Sequence, residues 1–302
     1  MRCAKAELHV HLEGSIDPEL LCRLDRSLTL EEARRLYTFD SFAGFIEAFK
    51  GAVRRLQTPE HYAAAAASLF ERQAAQGIEY SEVILSAGVV LWKSQSLDET
   101  WAALRAVSAR APLEVRWIVD AVRQFGGEPA SEVAVWAAAH ASEGIVAFGV
   151  GGDETARPLG EFAQAVSIAR EAGLRFTPHA GETSTAQSVW EAVAMDADRI
   201  GHGIRAVEDA ALLRVLRERD IALEVCPTAN VRTGAVATIE AHPLRALFDA
   251  GVPLTLNSDD PGLFDTDLTR EFSTARDVLG FSEDELGVIA GNALRYGFQR
   301  AR

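Results

Sequence analysis

Short apolar, strand-like runs recur along this chain with helical stretches between them, and that alternation limits the fold more than any other feature. The runs fall at Ala6–Leu12, Tyr80–Ala87, Glu114–Ala121, Ile145–Val150, Arg175–Pro178, Arg199–His202, Ile221–Cys226 and Pro253–Asn257. Several of them read as continuous strands buried on both faces, as in a parallel sheet. The intervening segments carry helix punctuation. Thr58 before Pro59 reads as an N-cap followed by proline at the first helical position, leading into Glu60–Gln76. Thr29-x-x-Glu32 and Ser282-x-x-Glu285 have capping-box spacing. Gly173 and Gly251 end helices over Leu159–Ala172 and Leu244–Ala250. Eight strand–helix alternations predict an α/β fold, a (β/α)8 TIM barrel. The stretch from Asp17 to Arg55 is richer than one helix and predicts extra helices inserted after strand 1, flanking or covering the barrel mouth. No linker or low-complexity segment interrupts the sequence, so residues 1–302 read as a single domain. A doubly wound open sheet is the alternative. Its dinucleotide-binding version is weakened because no Gly-x-Gly-x-x-Gly follows the first strand.

Composition narrows the class of partner. With Lys plus Arg at 30 and Asp plus Glu at 44, the formal net charge is −14. That balance argues against nucleic acid or an anionic membrane as the main partner, since phosphate recognition relies on basic patches. A small-molecule substrate is the expectation. Cys3, Cys22 and Cys226 form no Cys-x-x-Cys pair, which fits a reducing compartment better than a disulfide framework. Met1–Lys5 lacks the apolar core of a signal segment, and no apolar run reaches the ~18 residues of a membrane span. A soluble, cytoplasmic protein is expected.

The chemistry-bearing residues gather at the ends of the predicted strands. His9 and His11 are two apart in strand 1 and so face the same side. His179-Ala180-Gly181-Glu182 ends strand 5, Gly201-His202-Gly203 ends strand 6 and Ser258-Asp259-Asp260-Pro261 ends strand 8. All lie at the carboxyl end of the barrel, where barrel enzymes carry their active sites. Alone, His-x-His could be two core or exposed histidines, and Asp259-Asp260 a helix cap or turn. Together, His9, His11, His179 and Asp259 read as ligands of one divalent metal ion. Imidazole and carboxylate donors suit zinc, and the set leaves a position for a water whose pKa zinc can lower to roughly 7. Glu182 is placed to donate and accept a proton. His202 could orient or deprotonate the water, and Asp260 could bind substrate.

These segments resemble the adenosine deaminase family. The matching motifs are Glu7-Leu8-His9-Val10-His11-Leu12-Glu13-Gly14-Ser15, Gly151-Gly152-Asp153-Glu154, His179-Ala180-Gly181-Glu182, Gly201-His202-Gly203 and Ser258-Asp259-Asp260-Pro261. They occur in the family's order across nearly the whole chain. The resemblance implies a (β/α)8 barrel with one Zn2+ per chain and hydrolytic release of ammonia from carbon 6 of a 6-aminopurine. It implies zinc ligation by His9, His11, His179 and Asp259, and catalytic roles for Glu182 (protonating N1), His202 (beside the attacking hydroxide) and Asp259. It also implies substrate contacts from His11, from the Gly152 backbone N–H to N3 and from Asp260 to N7. The His-x-Glu and Pro-Cys-x-x-Cys pattern of cytidine deaminases is absent. Cys226-Pro227-Thr228-Ala229-Asn230 resembles a family segment as well, with Cys226 expected to shape the barrel rim.

Glu13 stands where many adenosine deaminases carry an aspartate near the sugar hydroxyl, a departure that unsettles plain adenosine as substrate. The expectation is a nucleoside-type substrate, with 6-aminodeoxyfutalosine ahead of adenosine or deoxyadenosine, and adenine deamination as the alternative. The benzoate of 6-aminodeoxyfutalosine would need a cation and an aromatic wall, for which Arg123 and Trp92 are candidates. Another amidohydrolase is the enzymatic rival. Many binuclear members use a strand-4 lysine, and Val146–Asp153 has none, which favours one metal. A non-catalytic binding protein on the same barrel is the remote alternative, and its signature would be a missing ligand or a missing Glu182.

Overall fold

The computed structural model describes residues 5–298. Cys3 and most of the Met1–Lys5 segment therefore lie outside the described residues. The strands are β1 (Lys5–His11), β2 (Ile78–Leu85), β3 (Glu114–Val122), β4 (Ile145–Gly151), β5 (Arg175–Phe176), β6 (His179–Ala180), β7 (Arg199–His202), β8 (Ala222–Val225) and β9 (Leu254–Leu256). Every pair is parallel, in the orders β1-β2-β3-β4-β5 and β6-β7-β8-β9.

The fifth predicted strand is split in two, and the reason is Pro178. Thr177 N donates to Phe148 O, but proline has no N–H with which to continue the ladder. Gly201 N then donates to Pro178 O, so pairing resumes on the other side. β5 and β6 together make one stave, giving eight. The circuit joins where Val10 bridges Asp259 in parallel, with His11 N donating to Asp259 O at 2.7 Å and Asp259 N to His9 O at 3.2 Å. Three of the metal-ligand candidates, His9, His11 and Asp259, thus sit at the seam between the first and last staves of the TIM barrel, and His179 faces them from β6.

β1 carries a β-bulge. Glu7 pairs with Ser81 but Val10 pairs with Val83, so β1 gains one residue on its partner. The bulge turns Glu7 out to Gln73 and Ser258 while His9 and His11 keep their common inward face.

The capping boxes at Thr29 and Ser282 form with both reciprocal bonds. Thr58 occupies the N-cap position of the helix Pro59–Ala75, but its hydroxyl bonds no helical N–H, so the proline at N1 is the working signal there. The segment after β1 folds into the helices Pro18–Leu24, Leu30–Leu36 and Phe42–Val53. The last of these lies over the carboxyl end of the barrel, where Phe45 stacks on Phe264 at 5.1 Å. Among the described residues no helix is long and apolar enough to cross a membrane.

Candidate active site

One ligand atom from each of His9, His11, His179 and Asp259 falls within 4.8 Å of all the others, and all four residues are buried. His9 Nε2 and His11 Nε2 lie 3.2 Å and 3.4 Å from Asp259 Oδ1, and His11 Nε2 lies 3.1 Å from His179 Nε2. Bonds of about 2.0–2.1 Å to a tetrahedral zinc place neighbouring donors about 3.3 Å apart, so these spacings fit such an ion. The protonation preferences agree. Burial pushes His11 down to about 3 and His179 well below its ordinary value, leaving two neutral rings whose lone pairs converge. Burial would also lower His9, but hydrogen bonds to Asp259 and Glu224 outweigh it and bring it up to about 10. The carboxylates of Asp259 and Glu224 thus favour a positive charge at His9, which a proton or a metal ion at Nε2 supplies.

Carboxylates stand behind two of the ligand histidines, bonded to His9 and close to His179. His9 Nδ1 donates to Glu224 Oε2 at 2.7 Å, and Arg199 Nε donates to Glu224 Oε1 at 2.5 Å. Burial opposes ionisation of Glu224, yet Arg199 and His9 hold it down at about 2. Such a carboxylate behind a ligand histidine fixes its tautomer and strengthens it as a donor. Asp120, at the end of β3, puts Oδ2 3.9 Å from His179 Nδ1. Glu154 accepts hydrogen bonds from the N–H groups of Gly181, Glu182 and Thr183 at 2.6, 2.7 and 3.0 Å, and from Ser188 Oγ at 2.6 Å. One carboxylate thereby shapes the loop that presents Glu182.

Glu182 faces the same point. Thr233 Oγ1 and Asn230 Nδ2 donate to its Oε1 at 3.0 Å and 3.3 Å, and its Oε2 is 3.7 Å from His202 Nε2. Burial raises its pKa. Burial and the neighbouring Asp259 push Asp260 well up, and Asp260 Oδ1 has no hydrogen-bond partner among the described residues.

A cavity of about 530 Å³ opens above these groups. His11, Gly152, His179, Glu182, His202, Asp259 and Asp260 line it, so most residues singled out by sequence meet at one wall. Gly152 has φ +93°, and a Cβ there would lie 2.3 Å from Gln124 Oε1. Glu13 sits one layer behind. It is fully buried, and its Oε1 accepts from the N–H of Ser86, a cavity residue, at 3.0 Å. Burial lifts its pKa to about 7. The opposite wall is apolar, formed by Phe42, Phe45, Ile46 and Phe49, with Lys50 and Arg54 beside them.

Arg123 is corrected as a substrate cation. It is 1 % exposed and donates to Arg157 O at 3.0 Å and His179 O at 2.7 Å, so its charge braces the backbone of a ligand strand. Trp92 is 68 % exposed, lines the cavity and stacks on Phe125 at 6.0 Å, which makes it a rim aromatic. Cys226, expected at the rim, is instead fully buried beside His202 and Asp259; it donates to Glu224 O at 3.5 Å and burial pushes its thiol well up, so it stays neutral.

Sequence reasoning missed Asp120, Glu224, Asn230 and His242 as site components. A lone acid in an otherwise apolar strand marks Glu224, and Asp120 follows the apolar run Trp117–Val119 of its strand. Asn230 belongs to the family-like segment Cys226–Asn230, which gave it no role of its own, and His242 carries no comparable signal.

A family profile described as Adenosine deaminase matches residues 4–302. The adenine deaminase of Sinorhizobium fredii is 36% identical over 303 residues, covering 97% of this chain and 94% of that protein. The aminodeoxyfutalosine deaminase of Streptomyces coelicolor is 37% identical over 308 residues, covering 97% and 80%. Among solved structures, the adenine deaminase from Arthrobacter aurescens superposes with a TM-score of 0.91 at 30% identity, covering 98% of this chain and 94% of that one.

Proposed function

The chain belongs to the adenosine deaminase family, and from that premise we propose that it removes ammonia hydrolytically from carbon 6 of a 6-aminopurine at the His9–His11–His179–Asp259 centre. The observation that carries this reading is Glu182, a buried carboxyl of raised pKa aimed at the same point as the ligand cluster. Aromatic carbon 6 resists attack because attack breaks ring conjugation. A carboxyl whose pKa burial raises holds its proton more readily, and donating that proton to N1 makes the carbon more electrophilic. We assign one zinc ion per chain to the centre, on its nitrogen-rich donor set and the absence of lysine in β4. When bound, that ion supplies an acidified water as nucleophile and positive charge near the reacting carbon. His202 holds the attacking oxygen in line. Asp260 and the Gly152 N–H bind the far edge of the purine, and Glu13 positions the Ser86 segment beside it. Location in the cytoplasm and a single domain spanning 1–302 complete the proposal.

The cavity favours a substituent on the purine. Even at a whole water's share of about 30 Å³ per non-hydrogen atom, a ten-atom base takes about 300 Å³. The cavity holds about 530 Å³, with Trp92, Lys50 and Arg54 at its mouth. A nucleoside-type substrate uses that space, and an anionic aromatic substituent such as that of 6-aminodeoxyfutalosine matches those side chains. Adenine is the second reading, favoured by relatives at 36% and 30% identity that bear its name. Comparing kcat/KM for adenine, adenosine and 6-aminodeoxyfutalosine on zinc-loaded protein decides. The nucleoside reading expects either nucleoside to exceed adenine by at least tenfold, and adenine as best substrate by that margin overturns it.

A further inference from the structure

The carboxamide of Asn230 is fully buried between three side chains. Its Nδ2 lies 3.3 Å from Glu182 Oε1 and 3.1 Å from His202 Nδ1, and its Oδ1 lies 3.1 Å from His242 Nε2. Heavy-atom positions do not show where an imidazole carries its hydrogen; a neighbouring group of fixed polarity does. That group is the Leu244 backbone N–H, which can only donate, and its acceptor is His242 Nδ1 at 3.1 Å. His242 Nδ1 therefore carries no hydrogen. Burial keeps the ring neutral, pushing its pKa down to about 4, so its one hydrogen is on Nε2. That N–H donates to Asn230 Oδ1 and fixes which way the amide points. Asn230 Nδ2 is then the donor to Glu182 and to His202 Nδ1. His202 Nδ1 accepts, and the neutral ring carries its hydrogen on Nε2. This nitrogen looks into the site, 3.7 Å from Glu182 Oε2 and 4.0 Å from Asp259 Oδ2.

We propose that His242 and Asn230 are positioning residues that hold His202 in its Nε2–H tautomer, so that His202 presents a hydrogen-bond donor to the attacking oxygen. The role in turnover rests on the deaminase reading above; the tautomer does not.

The test reads both. In 15N-histidine-labelled, zinc-loaded protein, with His202 assigned by its loss in H202N, NMR should show the Nε2–H form. Asn230→Asp replaces the donor with a second acceptor of the same shape. It should draw the His202 hydrogen to Nδ1 and lower kcat about 10²-fold, with KM within about threefold. His242→Leu should lower kcat about tenfold, and His242→Gln, which again offers an N–H to Asn230, should recover most of it. A wild-type His202 in the Nδ1–H form, or Asn230→Asp turning over within about threefold of wild type, overturns the proposal. If Asn230→Asp does not fold, the wild-type spectrum and the His242 pair still decide. Absence of turnover on every 6-aminopurine with the Nε2–H form intact would sink the deaminase reading and leave the tautomer standing.

Discussion

His202 and Asp259 both hold their backbone in the left-handed region, at φ 59° and 62°. For residues other than glycine that conformation costs roughly 1–2 kcal/mol, and histidine and aspartate are among the side chains that adopt it most often. Both lie at strand ends, where the turn swings the side chain back over the barrel axis. Two predictions belong to this scale. Glu182→Gln keeps the shape but cannot cycle a proton, so zinc content should stay at one ion per chain while kcat falls by 10²–10⁴; metal analysis beside steady-state kinetics checks this, and near wild-type kcat refutes the assignment. Gly14 is the second case. A Cβ there would lie 1.5 Å from Asp260 Oδ1, so Gly14→Ala must displace the Asp260 carboxyl. The expected outcome is a tenfold or greater loss of kcat/KM with an unchanged circular dichroism spectrum.

Elements are tied to the site by single buried carboxylates. Glu154, after β4, satisfies three consecutive N–H groups in the loop after β6. Glu154→Ala leaves those donors without their acceptor, and hydrogen bonds to charged groups contribute about 1.5–3 kcal/mol each. A fall in stability of at least about 3 kcal/mol by denaturant unfolding is expected, together with loss of turnover. Glu271, in the helix Leu268–Asp277, accepts from Thr228 N at 3.1 Å and Thr266 Oγ1 at 2.5 Å, joining that helix to Pro227–Arg232. Burial raises its pKa to about 7 from 4.5. The folded state therefore binds a proton that the unfolded state has already released between those values. This contribution to stability is full below about pH 4.5 and is lost as pH rises through about 7, a change of about 3 kcal/mol. Melting temperatures at pH 5 and pH 8 should differ more for wild type than for Glu271→Gln; an equal difference removes Glu271 from the account.

At the scale of the molecule, the metal centre joins three residues at the seam of the first and last staves to His179 on β6. A ligand that binds only the folded state at a thousand times its Kd adds about 4 kcal/mol. For a chain of this size that corresponds to roughly 6 °C in Tm. Chelation should lower Tm by about that amount, and readdition should restore it at one zinc ion per chain. Two tightly held ions, or a Tm indifferent to chelator, would contradict the single-ion assignment.

The eight apolar runs, the helices after β1, the capping boxes and the His9, His11, His179, Glu182, His202, Asp259 and Asp260 cluster were legible in the sequence. Each rests on local spacing: period within a strand, punctuation at a helix end, or side chains at consecutive strand termini. The split at Pro178 was local too, but its effect depended on which neighbours stood on either side. Tertiary structure alone decided the roles of Arg123, Glu224, Asn230 and His242. Arg123 looks like a rim cation in sequence, yet closure of the barrel carries it inward to the His179 carbonyl. Asn230 and His242 acquire their function from the direction of a hydrogen bond that starts at the Leu244 backbone and ends at His202. Residue types give each group's capacity to donate or accept; only the folded arrangement of neighbours determines which capacity is used.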